Sequence, residues 1–587
     1  MTEKMTGAQI LCEALVREGV EVMFGIPGGT IMPFYYAMHD YRDKIHHVLC
    51  RHEQGGGHAA DGYARVSGKV GVCLGTSGPG STNLVTAIAN AYMDSVPIVA
   101  ITAQVSSAVI GRDAFQETDI TGITMPVTKH NYLVKKIDDI ARVVKEAFYI
   151  ARTGRPGPVL IDITKDALQA STVPNWDFKI DLPGYNPTSK VDMHGLRQAI
   201  ELLRNAKKPL IMAGHGIIKA EASAELLQFA EKTGIPVTTT FLGVGSFPED
   251  HPLSLGMPGM HGWVHVNRAI QECDLLLNIG GRFEDRVTGK VSTFAPHAQV
   301  IHVDIDPSEI NKNVKATLAL IGDAKQILQA LVAEMPARDT KDWLKHIREM
   351  QTKYQPQQQY TRNQYQKRHA ESDLMPHDVF AALTKIINER GNYRVVTDVG
   401  QNQMWAVQLI DWYRPKTHIS SGGLGTMGFA LPAALGVAVA CPNDTVWVIA
   451  GDGGFQMTNQ EMITIMQEGI KNIKVVIINN GYLGMVRQWQ ELFENKRYSG
   501  TPLTGPNFVK LAEAYGVRGI TVKKLEEVEA AILEAYAHDG PILLDFHVER
   551  EVNVFPMVPQ GNSIGEMITK DPQSEAEVAQ ESVLAAV

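Results

Sequence analysis

Residues 445–480 read TVWVIAGDGGFQMTNQEMITIMQEGIKNIKVVIINN. A β-branched run stops at Gly451-Asp452-Gly453, a stretch of helical period follows, and a second β-branched run ends on two asparagines, so the segment reads as strand, helix, strand. Thr458, with Glu461 three places on, has the form of a capping box, and Gly469 has the form of a helix stop. Such a unit is right-handed and parallel, which finishes both strands on the edge where open α/β sheets take ligands. Asp452 and Asn480 are thereby brought together. One carboxylate, one amide oxygen and open glycine backbone suit a hard octahedral cation that keeps water and phosphate oxygens as its other ligands, which points to Mg²⁺ carrying a diphosphate. Taken alone, GDGG reads as a turn and Asn479-Asn480 as a loop. The matching strand ends favour the site.

The same rhythm extends to both sides. Over residues 1–175, "VEVMFGI", "VGVCLGT", "VPIVAIT" and "GPVLIDI" alternate with helical patterns, the mark of parallel βαβ units. "VPNWDFKIDLPGYNPTSKVD" then loses periodicity and gains prolines, reading as a linker. A second unit over 190–345 carries "PLIMAGHG", "IPVTTTF", "DLLLNIGG" and "VIHVDID"; the Gln-rich stretch "MQTKYQPQQQYTRNQYQKRHAESD" holds the next boundary. The third unit spans 370–555, and 556–587 is expected to be an irregular tail. The fold class is therefore α/β, with three doubly wound parallel-sheet domains.

Bulk numbers narrow the partners. At ~100–200 residues per domain, 587 residues exceed one core. A net charge of -9 without a lysine or arginine run argues against nucleic acid, whose backbone demands clustered cations. Five cysteines lie far apart with no CxxC spacing, which suggests neither disulfide framework nor zinc and fits a reducing cytoplasm. There is no apolar run of the ~20 residues that a membrane span needs, and "MTEKMTGAQILCEALVREG" is amphipathic rather than signal-like. Small molecules are the expected partners.

At residues 51–65, "RHEQGGGHAADGYAR" sets Glu53 ahead of three glycines. On those fifteen residues alone it reads as a helix-start or surface glutamate. The wider pattern changes this. GDG at 451–453, twenty-five intervening residues and NN at 479–480 resemble the signature of the two-domain thiamine diphosphate enzymes. The resemblance implies that Asp452, Asn480 and the Tyr482 carbonyl hold Mg²⁺, with Gly453 and Gly454 in the same turn. It further implies that Gly400, Gln401 and Asn402 cradle the diphosphate, that Met427 bends the cofactor, and that Gly425 accepts from its exocyclic amine. Glu53 resembles the family glutamate, which bonds the far nitrogen of the aminopyrimidine and promotes its imino form. In that family the glutamate and the diphosphate site come from different subunits, so a homodimer, or a homotetramer built from it, is implied. His52 and His58 read as structural rather than acid–base groups.

Within that superfamily "FGIPGG", "AFQETDITG", "GRPGPV", "GGRFEDRVTG", "GMVRQWQ" and "PMVPQG" together resemble the catalytic subunit of acetohydroxyacid synthase (acetolactate synthase). The resemblance implies decarboxylation of pyruvate on thiamine diphosphate and addition of the hydroxyethyl carbanion to pyruvate or 2-ketobutyrate. The products are 2-acetolactate or 2-aceto-2-hydroxybutyrate, precursors of the branched-chain amino acids. By carry-over Arg286 receives the acceptor carboxylate, a task suited to guanidinium; the alternative is an ion pair with Glu284 or Asp285. Gln116, Phe115 and Lys165 line the cleft, Gly28 borders the reacting carbon, and Trp489 selects the acceptor unless it is a core indole. In the middle unit, Gly214, Gly216, His261, Arg282, Asp304 and Asp323 suit a dinucleotide, although no GxGxxG is present and an empty vestigial fold fits too. The resemblance implies FAD there, with Arg155 also reaching it, and a separate small regulatory subunit. A flavin-linked pyruvate oxidase, glyoxylate carboligase and a non-catalytic nucleotide-binding regulatory protein are the competing readings. Glu53, which glyoxylate carboligase lacks, and Asp452 weigh against the last two.

Overall fold

In the computed structural model, which describes residues 4–187, 190–368 and 374–570, three six-stranded sheets follow one another along the chain, and every neighbouring strand pair within them is parallel. The first contains Val22–Gly25, His46–Leu49, Gly71–Gly75, Ile98–Gln104, His130–Val134 and Val159–Thr164. The second contains Pro209–Ala213, Val237–Thr239, Ser254–Gly256, Leu275–Ile279, Gln299–Asp304 and Leu318–Ile321. The third contains Tyr393–Thr397, His418–Ser420, Thr445–Gly451, Ile473–Asn479, Arg518–Val522 and Ile542–His547.

Numbering each sheet's strands in chain order, the first and third share the spatial order 2-1-3-4-6-5, whereas the second has 3-2-1-4-5-6. In each, the order reverses beside strand 1, and that reversal opens a crevice at the carboxyl ends. In the third sheet the crevice lies between Thr397 and Gly451, and in the second between Ala213 and Ile279. The sheets are buried on both faces, which is why their strands read as continuous apolar runs instead of alternating ones.

A single core joins the first and third units: Phe24, Ala59 and Leu84 cluster with Ala433, Val448 and Phe455. Its centre is the crossing of helices Glu53–Ser67 and Ala430–Ala440, whose sequences supply alanine and glycine where bulk would keep them apart.

One local expectation needs correction. Thr458 does not cap the second helix. The segment folds as two short helices, Asp452–Thr458 and Glu461–Gln467, and the Thr458 hydroxyl donates to the Gly428 carbonyl at 2.9 Å. Glu461 turns instead to the backbone of residues 51 and 52. Gly469 does take a left-handed conformation, φ +63°, after the helix. The Gln-rich stretch, as far as Arg368, lies in the helix Lys341–Arg368, through polar residues that helices tolerate well, and its residues 369–373 lie outside the described residues. As far as residue 570 the expected tail is irregular, with no helix or named strand, and it lies as a strap. It runs from the third unit onto the second, where Val558 N–H donates to Met260 O at 2.8 Å and Ile564 is buried in the second unit's core. Residues 571–587 of that tail lie outside the described residues.

Candidate active site

Three helices begin at the crevice of the third sheet: Gln401–Leu409 after Gly400, Asp452–Thr458 after Gly451, and Gly484–Phe493 after Leu483. Their first turns present unpaired N–H groups and the positive ends of their dipoles to one cleft. That is a ready seat for a diphosphate. The cleft is about 60 Å³ and is lined by Gly400, Gln401, Asn402, Met427, Gly453, Gly454, Asp452, Asn480 and Tyr482 among others. Gly400, at φ +148°, makes a turn that other residues rarely adopt.

Asp452 is buried, and its Oδ1 has no hydrogen-bond partner. Burial raises its carboxyl to about 6, against the N–H groups of Asp452 and Asn480 that hold it down. A buried carboxylate oxygen left unpaired is costly unless something positive meets it. Asn480 Oδ1 accepts the Tyr482 N–H at 3.1 Å and its amide donates to Gln401 Oε1 at 3.2 Å, which fixes the oxygen's direction. Among the described residues no group of three or more His, Cys, Asp or Glu is placed to hold a metal. The set here, one carboxylate with amide and carbonyl oxygens beside a phosphate seat, instead fits a hard cation that takes its remaining ligands from phosphate and water.

Sequence reasoning missed the group that shapes this cleft. Asp398, buried at the end of strand Tyr393–Thr397, accepts the N–H groups of Val399, Gly428 and Ala430 at 2.9–3.1 Å and so anchors the loop bearing Met427. It followed the strand in TDVGQNQ, an acid at a strand end, which was the available signal. The Asn402 amide braces Asp398 O and Ile449 O across the crevice, a structural task on its own helix. Gly425, at φ +73°, lies on the same loop but does not line the cleft.

The first unit's candidates collect at the carboxyl edge of its sheet. Gly28 follows strand 1, Glu53 strand 2, Gln116 strand 4 and Lys165 strand 6. Gly28 leaves room for Thr76, whose Cβ would lie 2.5 Å from an added Cβ, and Gln116, at φ +62°, packs on Gly78. Glu53 opens the helix Glu53–Ser67 and accepts from Asn83 Nδ2 at 2.9 Å. Phe115 is 89% exposed. None of these residues lines the third-sheet cleft of the same chain. His52 caps the helix with its ring, and His58 is fully buried edge-on to Phe429, burial lowering it to about 4.

The crevice of the middle sheet holds a larger cavity, about 540 Å³. Gly216, Arg282, Asp304, Asp323 and Arg155 line it. Arg155 pairs with Glu309 at 2.5 Å and Asp306 at 3.3 Å, and burial raises Asp304 to about 6. Lys219, a lining residue not anticipated, is pushed down to about 7 by burial and by Arg65. Gly214 and His261 are not among the lining residues. Gly214 lets the loop at Gly280 pass against it, and His261 packs against the strap through Pro556 O at 3.1 Å.

Arg286 and the PMVPQG motif, far apart in sequence, meet: Arg286 lines a cavity of about 230 Å³ with Val558, Pro559, Gln560 and Gly561. Its guanidinium is 55% exposed and only 3.9 Å from Asp285, whereas Glu284 pairs with Arg282 at 3.0 Å. Trp489 lies half-buried against Phe493, ring centres 5.3 Å apart, on the face of helix Gly484–Phe493 whose Val486 reaches the cleft.

Comparison with known proteins places this architecture. Three family models match: the thiamine pyrophosphate enzyme N-terminal TPP binding domain over residues 5–123, the central domain over 196–331 and the C-terminal TPP binding domain over 398–546. The large subunit of acetolactate synthase from Corynebacterium glutamicum is 49% identical over 572 residues, covering 96% of this chain and 90% of that protein. The large subunit of Escherichia coli isozyme 2 is 46% identical, covering 96% and 100%, and the probable large subunit from Methanocaldococcus jannaschii 45%, covering 96% and 95%. The chain belongs to the acetolactate synthase large-subunit family of thiamine pyrophosphate enzymes.

Proposed function

We propose that the chain catalyses acetolactate synthesis: pyruvate loses carbon dioxide and its two-carbon remainder joins a second pyruvate or 2-ketobutyrate, giving 2-acetolactate or 2-aceto-2-hydroxybutyrate. The observation that carries this reading is the unpaired, buried Asp452 Oδ1 at the meeting point of three helix N-termini. Asp452, Asn480 and the Tyr482 carbonyl would hold Mg²⁺, and the first turns after Gly400 and Gly451 would hold the diphosphate. Thiamine diphosphate, when bound, supplies the electron sink for decarboxylation and carbon–carbon bond formation. Glu53 would accept a hydrogen bond from the far pyrimidine nitrogen, a charge-assisted contact that strengthens as water is excluded. Arg286 would receive the acceptor carboxylate, while Phe115, Gln116, Lys165, Gly28 and Trp489 would shape the cleft.

Two features support a site shared between two chains. A cleft of about 60 Å³ has room for phosphate and cation but not for a whole cofactor. Glu53 and the exposed Phe115 stand at an edge that does not close their own chain's cleft. The middle cavity, with Arg155, Arg282 and Lys219 beside Asp304 and Asp323, fits the diphosphate and hydroxyls of FAD. The relatives' designation as large subunits supports a smaller regulatory partner. A cytoplasmic setting is supported by five free cysteines. Among the described residues no helix is long and apolar enough to cross a membrane.

The test is acetolactate formation from pyruvate by the purified protein, with thiamine diphosphate, Mg²⁺ and FAD omitted in turn. Activity lost without thiamine diphosphate or Mg²⁺, and no oxygen uptake, is the expected result. Oxygen consumption with acetyl or acetate products would identify a pyruvate oxidase instead.

A further inference from the structure

Glu461 has no exposed surface and opens the helix Glu461–Gln467, which follows directly on the helix that begins with Asp452. Its Oε1 accepts the backbone N–H groups of Arg51 and His52, each at 3.1 Å, and its Oε2 accepts the Thr464 hydroxyl at 2.7 Å. Arg51 and His52 are the two residues before Glu53. The approach depends on Gly55, where an added Cβ would stand 2.5 Å from Glu461 Oε1. The carboxylate therefore reaches from the third unit into the first and grips the backbone from which Glu53 projects. Charge-assisted bonds to main-chain N–H groups are strong and directional, and a buried carboxylate holding two of them fixes both peptide planes.

We infer that Glu461 is a positioning residue for Glu53, clamping the entry to its helix and tying the Asp452 turn to the carboxylate that the first unit presents. This rests on the proposed role of Glu53 in activating thiamine diphosphate. A carboxylate displaced by about 1 Å can cost on the order of a hundredfold in rate, so the clamp acts on activation and leaves diphosphate binding to the other cleft residues. Glutamine at 461 offers one acceptor oxygen where two are used, and its NH₂ must face a donor.

The experiment compares Glu461→Gln, Glu53→Gln and the double variant by deuterium exchange at the thiazolium carbon of bound thiamine diphosphate, with cofactor affinity measured by calorimetry. Glu461→Gln is expected to slow exchange roughly tenfold, or 1.4 kcal/mol, with affinity within about threefold of the parent. The double variant should be no slower than Glu53→Gln alone, because the one residue acts through the other. In the cofactor-free protein, the Arg51 and His52 amides should exchange faster in Glu461→Gln. Gly55→Ala displaces the same carboxylate from the opposite side while favouring the helix, and should reproduce the slowed exchange even if Glu461→Gln folds poorly. Normal exchange in Gly55→Ala, or losses that add in the double variant, overturns the clamp. Normal exchange in Glu53→Gln overturns the role of Glu53 itself, a separate result.

Discussion

Gly436 and Ala59 touch main chain to main chain: a Cβ on Gly436 would run into the carbonyl of Ala59, and one on Gly62 into the carbonyl of Ala433. The first and third units are thus joined by two helices at backbone distance. Neither carbonyl can rotate away without breaking its own helix. Gly436→Ala is therefore expected to destabilise the protein by about 1–3 kcal/mol, as overpacking does, despite alanine's better helix propensity. Thermal unfolding reads this as a lowered midpoint. A midpoint equal to or above the parent's would mean the helices separate freely.

Asp452→Ala should abolish tight binding of the cofactor rather than only slow the reaction. The proposed diphosphate seat would remain, but the cation proposed to balance it would lose its one charged protein ligand. Calorimetry should show affinity for thiamine diphosphate with Mg²⁺ weakened by about a hundredfold, some 2.7 kcal/mol. Unchanged affinity would move the metal elsewhere.

The meeting of Asp452 and Asn480 at one sheet edge was legible in the sequence because its parts are local. Two strands in register, Gly451 opposite Ile478, carry Asp452 and Asn480 to one edge, and spacing alone foretells that. What could not be foreseen depends on contacts between units. Glu461 looked like a capping residue because a capping box is a local pattern, yet the two backbone N–H groups it accepts, those of Arg51 and His52, are some four hundred residues away. Arg65, too, is held by contacts between units. It is buried, paired with Asp61 and, at 2.8 Å, with Asp94, whose oxygens also receive the Gly422 and Gly423 amides of the Met427 loop. The strap beyond residue 555 read as irregular because its order comes from the surface it lies on.

Asp162 gives a pH dependence whose sign is fixed. Burial raises its carboxyl to about 6, against hydrogen bonds from Thr102 at 2.7 Å and Gln104 at 3.0 Å. An unfolded aspartate titrates near 3.9, so between about pH 4 and 6 the folded state keeps a proton that the unfolded state has released. The stability this proton brings is full below pH 4 and is lost as pH rises through 6. Asp162→Asn should remove up to roughly 2 kcal/mol of that slope. Urea unfolding of both proteins at pH 4.5 and pH 7 checks it; parallel slopes would refute it.

Gly216→Ala addresses the middle cavity. An added Cβ would stand 2.6 Å from the Cα of Gly280, forcing that loop into the space beside Arg282. Flavin released on denaturation should fall to about a tenth of the parent's when flavin is limiting, the equivalent of 1.4 kcal/mol. Thiamine diphosphate binding, in another unit, should be unaffected. Full flavin content would separate this cavity from FAD.

Trp489 tests the choice of acceptor. It sits on helix Gly484–Phe493, on the face whose Val486 lines the third-sheet cleft, and its ring leans on Phe493 at 5.3 Å while remaining only half-buried. A core indole would be fully enclosed, as Trp405, Trp412 and Trp447 are. Pyruvate and 2-ketobutyrate differ by one methylene, and an apolar wall that meets the extra carbon gives roughly 1–3 kcal/mol of discrimination. The indole offers a flat, rigid face for it, already braced by Phe493. Trp489→Leu is expected to keep acetolactate formation and lose most of any preference for the larger acceptor, because leucine neither spans the same area nor holds one orientation. A competition assay with both ketoacids present reads the ratio of the two products directly. A ratio within about a factor of two of the parent's, where tenfold corresponds to 1.4 kcal/mol, would leave Trp489 as packing for Phe493 and return the selection to the partner wall of the cleft.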